Sequence, residues 1–128
     1  MIYKSLLSCS YNTRELGSIK TSDGGITKNN IFWRSDVTSV PTEEDIEKLL
    51  STNITTIIDM RTDEEVQKTP NGLAGMAGFE YHHFPITEGS GVPESLEAVP
   101  RSYMDIALAK NMPYVMKTIA ESDSGVLF

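Results

Sequence analysis

Much of what would declare a function is missing from this sequence. Cys9 is its only cysteine, so no internal disulfide and no cysteine-ligated zinc site can form. A chain this poor in thiols suits a reducing cytoplasm. Cys9 sits in "LLSCSYN" near the start of the chain, and reads as an unreactive thiol, because a reactive one needs an electropositive pocket or a helix N-terminus to lower its pKa. No apolar run approaches the ~20 residues that span a bilayer. The stretch "MIYKSLLSCSYN" has one lysine and too short an apolar segment to be a secretory signal. Basic residues are in deficit, with 11 Lys and Arg against 18 Asp and Glu and a net charge of −7. That removes the basic face on which nucleic-acid binding depends and argues against an anionic membrane surface. The two histidines, His82 and His83, are neighbours in a strand-like stretch. They point to opposite faces and cannot chelate one metal together; one is expected to be partly buried and the other exposed. No Gly-rich P-loop, nucleotide fingerprint or HExxH is found, and no serine triad can be named. Neither a metal nor an organic cofactor is expected.

What is present is an ordinary globular composition, 39% hydrophobic and 23% charged over 128 residues, enough for one domain or part of one. "GSIKTSDGGITKNN" carries Asp23-Gly24-Gly25 between two β-prone pieces and reads as a hairpin or tight turn. "NIFWRS" reads as a short strand. "PTEEDIEKLLSTN" reads as a helix capped by Thr42, with Glu43, Glu44 and Asp45 complementing its positive end. Ile46, Leu49 and Leu50 would form its apolar face, and Asn53 suits its stop. The β-branched run "ITTIID", Ile54 to Asp59, has the little-alternating pattern of a parallel strand buried on both faces. A short polar helix from Asp63 to Lys68 precedes the breaker "TPNG", and "FEYHHFPI" reads as another strand. The stretch "TEGSGVP" is expected to be the most flexible loop. Helices are expected from Ser102 to Lys110, with Tyr103, Ile106 and Ala107 on one side, and from Met112 to Glu121, with Met112, Val115, Met116 and Ile119 at helical spacing. Pro113 fits the first turn of the latter. "GVLF" begins a last strand. This alternation predicts an α/β fold with a largely parallel sheet.

Three of the four arginines lie in compact polar stretches: Arg14 in "NTRELG", Arg34 in "WRSD" and Arg61 in "DMRTDEE". A guanidinium presents a planar fork of donors suited to phosphate or carboxylate. Asp59 and Arg61 stand at the carboxyl end of "ITTIID", where open α/β sheets place their ligand sites. Each arginine also has an acid close by (Glu15, Asp36 and Glu65), so internal ion pairs are an equally good use for them. Glu88 follows the "FPI" strand in the flexible loop, from which a carboxylate could swing onto a ligand or remain solvated.

The order of these stretches resembles the bacterial atypical tyrosine/serine protein phosphatases. Their pattern runs N-x-R-D-L-G-G, an Asp-Gly hairpin, [LI]-[FY]-R-S-[DG], a T-x-x-D helix, T-V-I-D-L-R-T-x-x-E and later H-C-x-x-G-K-D-R-T. The first five pieces occur here in order from Asn12 to Glu65, with Glu15 for Asp, Ser18 for the second Gly and Met60 for Leu. The resemblance implies a cysteine-dependent phosphatase fold, a partly parallel central sheet flanked by helices. It also implies a phosphorylated protein or phosphoinositide as substrate. Asn12 and Arg14 would lie near the active-site rim, Arg34 and Asp36 would brace strand ends, and Asp59, Arg61 and Glu65 would buttress the phosphate loop. Glu88 would be a poor stand-in for a mobile general acid.

The H-C-x-x-G-K-D-R-T piece does not occur in the 128 residues, which close on "SDSGVLF", the turn and strand that deliver that loop in the family. The expectation is therefore an N-terminal portion of a phosphatase domain, truncated before its catalytic loop and inactive by itself. It should expose apolar surface on the Ile54–Asp59 and Val126–Phe128 strands and self-associate through it. The alternative is a self-sufficient, monomeric, non-catalytic module gripping a phosphorylated or acidic partner through Arg14, Arg34 and Arg61.

Overall fold

Five short strands alternate with helices in a computed structural model that describes residues 4–89 and 91–128. In chain order they are β1 (Arg14–Glu15), β2 (Phe32–Arg34), α1 (Glu43–Ser51), β3 (Ile54–Asp59), α2 (Asp63–Lys68) and β4 (Glu80–His83). A 3-10 turn (Leu96–Ala98), α3 (Val99–Ala107), α4 (Met112–Glu121) and β5 (Gly125–Leu127) follow. The sheet order is β1-β2-β5-β3-β4. Only the β1–β2 pair is antiparallel; β2–β5, β5–β3 and β3–β4 are parallel. This is the α/β architecture read from the sequence, with one addition: "NTRELG", which carried no strand signal, supplies the edge strand β1.

Two apolar layers cover the sheet. On one face Leu7, Trp33, Leu49, Ile54, Ile57, Leu73 and Leu127 pack together under α1, and on the other Ile58 and Val126 pack against Val115 of α4. Ile54 and Ile57 share a face although they are three apart, because the β3–β5 register shifts between Ile54 and Thr56. The little-alternating, β-branched pattern of β3 thus follows from burial on both sides.

Several local expectations need correction. β5 lies between β2 and β3, so its apolar residues and those of β3 are covered, with Val126 and Ile54 both at 0% exposure. The apolar surface through which self-association was expected is not on these strands. Large exposed apolar side chains are found instead around α3 and α4, among them Leu96, Tyr103, Met104, Leu108 and Met116. α3 begins at Val99 rather than Ser102, since Pro100 fits its first turn and the Ser95 hydroxyl accepts the Ala98 N–H of the preceding 3-10 turn. It buries none of its residues, and Tyr103 faces outward. Leu50 is also exposed, leaving Ile46 and Leu49 to seat α1. β4 is shorter than "FEYHHFPI", yet its pairing carries on past His83: Phe84 N–H donates to Asp59 O and Ile86 N–H to Met60 O, at 2.9 and 3.0 Å. Asn53 holds the left-handed conformation after α1, at φ 59°.

The acid expected only to complement the α1 dipole does more. Asp45 is fully buried and closes a capping box with Thr42. Its carboxylate also accepts Ser8 N–H at 2.7 Å, Ser8 O–H at 3.0 Å and Cys9 N–H at 3.1 Å. The segment before β1 is therefore fastened to α1 by one side chain. Desolvation would raise the Asp45 pKa, but the donors from Ser8, Thr42 and Cys9 outweigh it and hold it far below the ordinary carboxylate range.

Asp45→Ala should lower unfolding free energy by about 2–3 kcal/mol, since it removes a cap and leaves buried donors unmatched. A depressed folded-state pKa contributes stability above the ordinary carboxylate value of about 3.9, lost as pH falls below it. Urea denaturation should therefore show a steeper acid-side loss in the wild type than in Asp45→Ala. Parallel acid limbs would contradict the clamp.

Candidate functional site

β3 ends on a carboxylate with little access to solvent, and such a group requires partners. Asp59 Oδ1 accepts Arg61 N–H at 3.1 Å and Arg61 Nε–H at 3.0 Å. Its Oδ2 accepts Arg61 Nη2–H at 2.8 Å and the Tyr81 hydroxyl, also at 2.8 Å. The guanidinium is thus held side-on, in the bidentate geometry that fixes it best. Arg61 Nη1–H donates to Thr69 O at 2.7 Å, tying the chain beyond α2 to the same point. Arg61 O accepts from His83 Nε2 at 2.7 Å, which brings in β4.

The parallel β3–β4 register makes this convergence possible. Ile57 stands beside Tyr81 and Asp59 beside His83, so all four side chains share a face. Burial acts against the charge on Asp59, but the hydrogen bonds from Arg61 and Tyr81 prevail and keep its pKa below the ordinary value. Burial, and then the bond to Asp59, push the Tyr81 phenol up to about 12.

Above this group lies a cleft of about 330 Å³ at the carboxyl ends of β2, β5 and β3. Ser35, Asp36 and Thr38 form one wall, Asp59, Met60, Arg61 and Glu65 another, and Leu127 and Phe128 lie along the β5 side. Asn71 completes the lining, and its side-chain oxygen accepts from Thr38 Oγ1 at 3.2 Å. Gly72 fits there because a Cβ would meet Pro41 and come within 2.6 Å of Ser39 O. This is the strand-end location at which open α/β sheets bind ligands.

The sequence-derived site residues are only partly brought together. Asp36, Asp59, Arg61 and Glu65 line the cleft; Asn12, Arg14, Arg34 and Glu88 do not. The sequence-adjacent acids serve backbone groups. Asp36 accepts Tyr11 and Asn12 N–H, both at 3.1 Å, Glu15 accepts Asn30 N–H at 3.0 Å, and Glu65 accepts Thr62 N–H at 2.8 Å as a capping box for α2. The guanidinium of Arg61 pairs with Asp59 instead of the Glu65 carboxylate. Glu88 is not poised to swing: its carboxylate accepts Lys110 N–H at 2.8 Å and the Thr87 hydroxyl at 2.9 Å, clipping its loop to the α3–α4 junction. Ser90 of that loop lies outside the described residues. His82 and His83 are both half-buried, one stacked on Phe84 and the other bonded to Arg61 O, where one had been expected to be exposed. Among the described residues, no group of three or more His, Cys, Asp or Glu could hold a metal ion.

A profile of the tyrosine phosphatase family matches residues 6–128. The chain belongs to the tyrosine phosphatase family. No curated protein matches it. Among the described residues of this family member no helix is long and apolar enough to cross a membrane.

Within this phosphatase-family scaffold, Tyr81 and the Thr69 carbonyl escaped sequence reasoning, because Tyr81 meets Asp59, and the Thr69 carbonyl Arg61, only through the fold. The one available signal was the phenol in "FEYHHF", a polar tip on a strand running beside a buried acid. Tyr81→Phe should cost about 1 kcal/mol through loss of its bond to Asp59. A raised folded-state pKa means that this contribution is intact below the ordinary phenol value of about 10 and is lost as pH rises towards 12. Ultraviolet titration should show one late-ionising tyrosine that vanishes in Tyr81→Phe; unchanged curves would contradict the Asp59–Tyr81 bond.

Proposed function

We propose that these 128 residues supply the scaffold and loop-supporting groups of a cysteine-dependent protein tyrosine/serine phosphatase. The observation that carries this reading is the Arg61 guanidinium, locked to Asp59 and Thr69 O beside a strand-end cleft. Three carboxylates and a single guanidinium line that cleft. Each carboxylate is occupied by internal donors. Such walls suit a loop rich in backbone N–H groups better than a bare phosphate. A loop of the H-C-x-x-G-K-D-R-T type, resting on Asp59, Arg61 and Glu65, would present its own amides and arginine to the substrate.

The chemistry of the assembled enzyme is phosphomonoester hydrolysis in two steps. A thiolate attacks phosphorus, forming an S–P bond as the ester P–O bond breaks, and an acid protonates the departing oxygen. Water then cleaves the S–P bond and releases phosphate. The substrate class is a phosphorylated protein or phosphoinositide, and the compartment a reducing cytoplasm that keeps the nucleophile as a thiol. The competing module reading loses one of its three cations, because Arg61 is already engaged.

The 128-residue chain by itself should be inactive. Cys9 is its only cysteine, packs against the core under α1 and does not line the cleft. Burial and the neighbouring Asp45 carboxylate push its thiol up to about 11, which leaves little thiolate at neutral pH. Hydrolysis of p-nitrophenyl phosphate by the purified chain should match the buffer blank, with or without vanadate, and Cys9→Ser should change nothing. Vanadate-sensitive turnover abolished by Cys9→Ser would overturn this account.

A further inference from the structure

Four hydroxyl side chains run in single file from the segment before β1 to the wall of the cleft. Ser5 Oγ lies 3.1 Å from Ser10 Oγ, Ser10 Oγ is hydrogen-bonded to Thr13 Oγ1, and Thr13 Oγ1 lies 2.8 Å from Ser35 Oγ. Ser35 Oγ–H then donates to Asp36 O at 2.7 Å. Ser10 and Thr13 are enclosed, at 5% and 1% exposure, while Ser35 and Asp36 line the cleft.

Distances between hydroxyls leave the direction of each bond open, but a proton count fixes it. A hydroxyl carries one proton and donates once. Ser35 gives its proton to Asp36 O, a group that can only accept, so Thr13 must donate to Ser35. Ser10 must then donate to Thr13, and Ser5 to Ser10. Ser5 in turn accepts the Thr13 N–H at 3.0 Å, and Leu6 N–H donates to Thr13 O at 2.9 Å, which closes the segment on itself. Each hydroxyl is thus matched as donor and as acceptor, in one direction along the chain.

Thr13 is the member on which both ends depend. Its backbone holds Ser5 and Leu6, and its hydroxyl holds Ser35. The same wall is tied to this segment a second time, because the Asp36 carboxylate accepts Tyr11 and Asn12 N–H. On its other side Ser35 N–H donates to Phe128 O at 2.8 Å, at the end of β5. Without the Thr13 hydroxyl the enclosed Ser10 proton loses its acceptor and Ser35 loses its donor, and unmatched buried polar groups are costly.

We propose that Thr13 is a positioning residue of the cleft: its hydroxyl fixes the Ser35–Asp36 wall to the segment before β1, so that displacing that segment displaces the wall. That the wall serves a catalytic loop rests on the phosphatase reading. The hydroxyl chain itself is tested without any activity, so either can fail alone.

Amide hydrogen exchange of the purified 128-residue chain, read residue by residue by NMR, is the test. In Thr13→Val, which removes the hydroxyl and keeps the branched shape, the Asn12 and Ser35 amides should exchange about tenfold faster. The Phe84 and Ile86 amides, which donate to Asp59 O and Met60 O beyond β3, should keep their wild-type rates. Thr13→Ser, which restores a hydroxyl, should return Asn12 and Ser35 to wild-type rates. Ser35→Ala breaks the chain at its last link and should accelerate Asn12 as Thr13→Val does, with no further acceleration in the double variant. Wild-type rates at Asn12 and Ser35 in Thr13→Val overturn the proposal, as does equal acceleration at all four amides, which marks a general loss of stability. Should Thr13→Val fail to fold, Asn12 against Phe84 and Ile86 in Ser35→Ala decides by the same criteria.

Discussion

A strand buried on both faces that ends in aspartate poses an electrostatic problem, and the way it is solved organises the cleft. Asp59 is too enclosed to remain charged without partners, and a lone buried carboxylate would neutralise or destabilise the sheet. Arg61, two residues on, returns to it side-on, while its own N–H closes the turn onto the same oxygen. From that point the chain is directed into the capping box of α2, the far end of α2 is tied down through Thr69 O, and β4 is held through His83 and Tyr81. The pair is therefore better understood as a joint between β3, α2 and β4 than as an isolated ion pair.

Asp45 plays the equivalent part at the other side of the same sheet face. It joins the segment before β1 to the start of α1, again by gathering several donors onto one enclosed carboxylate. Between these two joints the strand ends of β2, β5 and β3 are held at fixed spacing, and the cleft is the space they leave. α3 contributes little to this frame, since none of its residues is buried, and its exposed Tyr103 and Met104 are where the molecule is least committed.

Periodicity and capping chemistry made much of the fold legible. Thr42 announces a helix start, and the runs "ITTIID" and "GVLF" announce buried strands; all three are found where they were expected. What stayed hidden was pairing between distant residues. β1 is two residues long and is a strand only because β2 lies beside it. The position of β5 between β2 and β3 is a matter of topology, and no local pattern encodes it. The same holds for the site: sequence proximity suggested Arg61 with Glu65, whereas the helix cap claims Glu65 and the buried strand end claims Arg61. Glu88 looked mobile because its neighbours are small and polar, but its partner is a backbone N–H at Lys110.

In this tyrosine phosphatase family scaffold the carboxylates that line the cleft hold protein groups: Asp36 and Glu65 accept backbone N–H groups, and Asp59 accepts Arg61 and Tyr81. The central claim is that Asp59 and Arg61 act as one unit, which a double-mutant cycle tests most directly. Unfolding free energies of wild type, Asp59→Asn, Arg61→Gln and the double variant should give a coupling of about 2 kcal/mol or more. Additivity within about 0.5 kcal/mol would contradict the account.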